Sequence, residues 1–119
     1  MKASDCLTLA EAAGEHFQRV INAFVDEFRR ADVEARSMMV LDPIVRSGKM
    51  EGLVAAVVSA LCRESGMAAP RWVGEIHSPT PFFPFPARSF ELRVRLMVES
   101  PVPFRIRNVF VPENYLSRA

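Results

Sequence analysis

Apolar residues return every three or four positions through Leu9, Ala13, Phe17, Ile21, Phe24 and Phe28. That spacing predicts one helix face, with Glu15, Gln18, Arg19, Asp26 and Arg29 mostly opposite. Val20 and Val25 widen the stripe. Thr8 and Glu11 have capping-box form, the hydroxyl taking one orphan N–H while the carboxylate reaches back. Gly14 costs about 1 kcal/mol against Ala inside a helix and argues for a later start of the ordered part.

A second helix is predicted from Asp32, a residue suited to N-capping, with Val33, Met38 and Leu41 turned inward. Asp42-Pro43 ends it, because the residue before proline avoids the α region. Residues 42–49 then read as a loop with a turn at Ser47-Gly48. A third helix runs from Met50 to Glu64, its core face carried by Leu53, Val54, Val57, Val58 and Leu61. Ala55, Ala56 and Ala60 let a neighbouring helix approach closely. Gly66 is placed for a left-handed C-cap, and Pro70 follows soon after.

Beyond Pro70 the pattern changes. Seven of the nine prolines lie from Pro79 onward. Arg71-Trp72-Val73 predicts a short helical turn. The stretch Ser78-Pro79-Thr80-Pro81-Phe82-Phe83-Pro84-Phe85-Pro86 excludes regular helix and central strand. It predicts a rigid connection that crosses the helices and lends its phenylalanines to the core. Residues 89–99 admit two readings. Phe90, Leu92, Val94, Leu96 and Val98 alternate with Glu91, Arg93, Arg95, Met97 and Glu99, which on periodicity favours a strand and a hairpin arm. Ser89 also suits a helix start, with Phe90, Val94, Met97 and Val98 on one face. Pro112 fits the first position of a short terminal helix ending near Arg118, and Val109–Val111 suits a short strand. The expected fold is a mainly helical single domain over residues 1–119, with α+β as the alternative.

Composition adds bounds. The chain has 119 residues, half of them hydrophobic and 24% charged, enough for one core. A net charge of +1 gives no global attraction to nucleic acid or anionic lipid. No signal peptide is visible at the start, and no stretch is long and apolar enough for a membrane span. Cys6 and Cys62 fit a reducing compartment; Cys62 reads as a small core residue and Cys6 as exposed near the terminus. The expectation is a cytoplasmic protein.

Candidate chemistry is sparse. His16 and His77 have no second ligand at metal spacing, and the five glycines form no phosphate loop. No catalytic residue, metal site or cofactor is expected. Near the end, Arg88, Arg93, Arg95, Arg105 and Arg107 exceed Glu91 and Glu99 by three charges. If these segments are strands, the arginines form a stripe for phosphate or an acidic partner. The stretch Ser100-Pro101-Val102-Pro103-Phe104-Arg105-Ile106-Arg107-Asn108-Val109-Phe110-Val111 leaves Arg105, Arg107 and Asn108 unexplained by packing. Trp72 reads first as a core anchor and second as a stacking platform. These four are the candidate binding residues.

The succession Leu61-Cys62-Arg63-Glu64-Ser65-Gly66, Ala69-Pro70-Arg71-Trp72-Val73, the aromatic-proline stretch, Leu92-Arg93, Glu99-Ser100-Pro101, Phe104 to Val111 and Leu116-Ser117-Arg118-Ala119 resembles a family of small, uncharacterised bacterial proteins. It is also similar to the region that follows the helix-turn-helix domain in some antitoxin-like regulators, which often accompany a nucleotidyltransferase-like partner. The resemblance runs from about Val20 to the C-terminus. Ile106 stands where those proteins usually carry a third arginine, and the chain has no room for a separate helix-turn-helix domain. The resemblance implies helix for residues 91–99, while that second departure keeps direct DNA binding from carrying over. The expected function is a non-enzymatic interaction module, antitoxin-like or accessory, that binds a protein encoded nearby and is compatible with a homodimer. The alternatives are an enzyme with an anion site at Arg105, Arg107 and Asn108, or a weak nucleic-acid binder.

Overall fold

The computed structural model describes residues 1–85 and 87–118, the last by its backbone alone. Pro86 and Ala119, parts of the Pro/Phe stretch and of the terminal segment named above, lie outside the described residues. The fold is mainly helical: α1 (Ala3–Ala13), α2 (Phe17–Arg30), α3 (Val33–Met39), α4 (Lys49–Glu64), α5 (Phe90–Glu99) and α6 (Val102–Arg105). Three 3-10 turns add Gly14–His16, Arg71–Glu75 and Tyr115–Arg118.

The long first helix divides in two. Gly14 takes φ +58°, a left-handed conformation that ends α1. The chain then folds back as α2, which brings the Met1 amino group to the Glu27 carboxylate. The cap also lies earlier than Thr8. Asp5 accepts a hydrogen bond from the Lys2 N–H at 3.1 Å, whereas Thr8 sits mid-helix and donates to the Ser4 carbonyl. With the start moved back, Ala3, Cys6 and Ala10 form the inner face of α1. Cys6 is fully buried, not exposed as expected. Ile21, Phe24, Val25 and Phe28 form the inner face of α2 as predicted, while Leu9 is 48% exposed.

Asp32 caps α3, accepting from the Ala35 N–H at 2.8 Å. The inward face differs from the prediction: Met39 and Val40 are buried, and Val33, Met38 and Leu41 are exposed. Arg36 explains the rotation. Its guanidinium lies 5.2 Å from the Phe28 ring centre and donates to the Phe28 and Arg29 carbonyls. That contact closes the end of α2 and turns this side of α3 inward.

The centre of the core is α4, buried on every side from Glu51 through Val58. A helix apolar all round belongs inside a fold, and α1, α2, α6 and the Arg71–Glu75 turn pack around it. Gly52 permits one close approach: a Cβ there would lie 2.7 Å from the Ser78 backbone nitrogen. The predicted cap at Gly66 is present as a Schellman motif, with Met67 N–H to Cys62 O at 2.8 Å and Gly66 N–H to Arg63 O at 3.3 Å.

Between Ile76 and Phe85 the chain crosses the helices in irregular form. Its phenylalanines are half-buried rather than central. Phe82 packs on Phe17, Phe83 on Phe110 and Phe85 on Tyr115. The expected strand at Val109–Val111 shrinks to one parallel bridge, Phe82 to Val109, and no strand occurs among the described residues. Ser89 caps α5, accepting from the Leu92 N–H at 3.1 Å, so residues 90–99 are helix and not a hairpin arm. No described helix is long and apolar enough to cross a membrane.

Candidate functional site: the 105–108 turn and the α5 arm

Arg105, Arg107 and Asn108 lie on the turn that leaves α6, and they diverge. Arg107 is buried, 5% exposed. Its Nε and Nη2 donate to the Val73 carbonyl at 3.0 and 2.8 Å, and Nη1 donates to the Pro103 carbonyl at 2.7 Å. Burial pulls its pKa down from the ordinary arginine value, but that value is high enough for the charge to persist. The guanidinium clamps the Arg71–Glu75 turn to α6. Asn108 takes φ +64°, which asparagine tolerates better than most residues. Its amide donates to the Ser78 carbonyl at 3.2 Å. Arg105 alone points to solvent. The three therefore build no common cleft, and two of them are explained by backbone carbonyls they satisfy.

Trp72 is a core anchor. Its ring is buried and its Nε1 donates to the Val40 carbonyl at 2.9 Å, tying the Arg71–Glu75 turn to the end of α3. No face is free for stacking. The arginine stripe also dissolves. Residues two apart on a helix point about 200° from each other, so Arg93 and Arg95 do not share a face. Arg93 donates to the Ala87 carbonyl at 2.7 Å and lies over the Phe83 ring, while Arg95 turns toward Glu99.

The other reactive side chains do not converge. Burial pushes the Cys6 thiol up to about 12 and raises Cys62 as well, so neither supplies a thiolate near neutrality. His77 stands 3.4 Å from the Ser47 hydroxyl, with its ring exposed. Glu51 is buried but paired, its Oε2 lying 3.2 Å from Arg46 Nε. Among the described residues no three His, Cys, Asp or Glu side chains are arranged to hold a metal.

What stands out is α5. Only Leu96 is buried, in a small cluster with Ala87, Phe110 and Phe83. Phe90 is 80% and Val98 70% exposed, with Val94 and Met97 beside them. These four occupy one side of the helix, the spacing i, i+4, i+7, i+8. A second apolar feature lies between α1 and α2. Met1, Leu9, Ala12, Ala13, Arg19, Val20 and Ala23 line a trough of about 460 Å³. It continues past Met1 and Leu9 toward Asp5 and Thr8. Sequence reasoning missed both features for one reason. Each stripe was visible as a pattern, but an apolar stripe was assumed to face the core.

No family model, curated protein or solved structure matches this chain.

Proposed function

We propose that the chain is a non-enzymatic protein-interaction module of the bacterial cytoplasm, which lays the outer face of α5 into a groove on a protein partner. The observation that carries this reading is the exposure of Phe90, Val94, Met97 and Val98 on a capped helix whose one buried residue is Leu96. A ten-residue helix is marginal in water by itself. Here the Ser89 cap, Arg93 and Leu96 hold it in place, and the apolar anchors are turned outward. Anchors at this spacing are how an amphipathic helix binds an apolar groove. Covering each large side chain would contribute roughly 1.5–3 kcal/mol before ordering costs.

The partner suggested by the resemblance is the product of the adjacent gene, with a nucleotidyltransferase-like toxin as the first candidate. Co-expression followed by size-exclusion chromatography tests the pair. A complex at micromolar concentration that disappears with Val94→Glu is expected. No complex, or one indifferent to Val94→Glu, would count against the reading.

A further inference from the structure

We infer that Gln18, Asn22, Phe85 and Tyr115 form a binding site for a small, neutral, planar ring carrying an amide edge, a carbonyl beside an N–H. The site is independent of the docking-helix reading, since none of these residues lies on α5.

Three segments meet here. Gln18 and Asn22 are one turn apart on α2, so their side chains share a face. Phe85 comes from the irregular crossing and Tyr115 from the terminal turn. The four line a cleft of about 130 Å³. A cavity of roughly 150 Å³ holds one benzene ring, so this cleft has the size for a single six-membered ring. Its walls are tied together before any ligand arrives. Phe82 packs on Phe17, which holds the crossing to α2, and Arg29 on α2 holds the Leu116 carbonyl of the terminal turn.

The polar side of the cleft is a hydrogen-bonded chain with a direction. The buried Tyr115 hydroxyl donates to Gln18 Oε1 at 2.7 Å, and Gln18 Nε2 donates to Asn22 Oδ1 at 2.9 Å. Burial raises the Tyr115 phenol above its ordinary value, so it remains a donor. The chain ends at Asn22 Nδ2, which has no acceptor among the described residues. An asparagine with a free N–H beside an oxygen that keeps a second lone pair is the complement of an amide edge. The apolar side is the Phe85–Tyr115 pair, with ring centres 5.9 Å apart and planes at 82°. That corner lets a third ring stack on one aromatic and meet the edge of the other.

Charge and polarity narrow the ligand. No charged side chain lines the cleft among the described residues, so an ionised ligand would lose hydration without a counter-charge. A wholly apolar ring would cover Asn22 and leave its amide unpaired. A neutral ring with an amide edge meets both conditions. Uracil carries that edge within the ring, and nicotinamide carries it as a substituent.

NMR titration of the isotope-labelled full chain with uracil, nicotinamide, benzoate and toluene is the test. At least one of the two amides should shift the Asn22 side-chain signals and give nuclear Overhauser contacts to the Phe85 and Tyr115 rings. Its dissociation constant should be about a millimolar, the scale of so small a ligand. The tighter of the two shows whether the ring amide or the substituent amide is read. Asn22→Leu should weaken that binding roughly tenfold, with leucine keeping α2 helical, while Val94→Glu on α5 should leave it unchanged. The contacts seen with the natural chain decide the matter if Asn22→Leu does not fold. Absence of any shift from either amide at tens of millimolar would overturn the inference, since the cleft would then hold water alone. Benzoate binding as tightly would overturn it by showing that neutrality is not selected. Toluene binding as tightly, or undiminished binding by folded Asn22→Leu, would overturn it by showing that the aromatic corner acts without the amide edge.

Discussion

Arg107 shows how a residue that looks functional can be wholly structural. Its fork matches two carbonyls on separate segments, Val73 O and Pro103 O. Lysine cannot reproduce that, because it offers a point charge without the planar pair of donors. Arg107→Lys should therefore cost about 2 kcal/mol or more. Urea unfolding would read this as a lower midpoint, and an unchanged midpoint would show the clamp to be dispensable. The cysteines make a second residue-scale case. With Cys6 pushed up to about 12 and Cys62 raised by burial, neither should react with a thiol reagent at pH 8 in the native state. Both should react in denaturant, and rapid native labelling of Cys6 would contradict its place in the core. Placing Cys6 outside followed from putting the first cap at Thr8. Once Asp5 does that work, residue 6 falls on the inner face of α1.

At the scale of elements, legibility depended on how far local chemistry settles the outcome. The start of α3, the helix α4 and the cap at Gly66 were readable, because Asp32, the spacing of Leu53 to Leu61 and Gly66 act through neighbours in sequence. Residues 89–99 were not readable from periodicity, which favoured a strand. A strand needs a pairing partner, and among the described residues the segment has none; Ser89 can cap a helix without help. Nor could the pattern say which apolar face is covered, since burial depends on what lies opposite. Val33, Met38 and Leu41 failed for that reason, displaced by Arg36, and the outer face of α5 failed likewise. The contrast within α5 is measurable. Leu96→Ala should cost about 2 kcal/mol, toward the low end for a core leucine because its cluster is small. Val98→Thr should cost less than about 0.5 kcal/mol. Thermal unfolding of the two variants checks this, and equal losses would mean that the outer face is covered in the free chain.

At the scale of the molecule, one exposed cluster joins segments far apart in sequence. Arg29 on α2 donates through Nε and Nη2 to both Glu64 oxygens on α4, at 3.0 and 2.8 Å. Its Nη1 donates to the Leu116 carbonyl at 2.8 Å, so the same side chain holds the terminal turn. The hydrogen bond from Arg29 is the main cause that holds the Glu64 carboxyl below its ordinary value of 4.5, and the same bond raises Arg29. A carboxyl depressed in the folded state stabilises the fold above its unfolded value. That contribution is lost as the pH falls through the folded one. With the two side chains 28% and 49% exposed, solvent screening limits it to roughly 0.5–1 kcal/mol. Glu64→Gln should therefore be less stable than the natural chain at pH 7 by about that amount. The gap should close in acid, below the ordinary carboxylate range, where Glu64 is protonated and the two chains carry the same charge at that position. Arg29 keeps its bond to Leu116 in both, so the terminal turn should stay attached. Urea titrations at pH 7 and at successive acid steps give the curve. A gap that stays constant down to full protonation would show that Glu64 acts through packing and not through its charge.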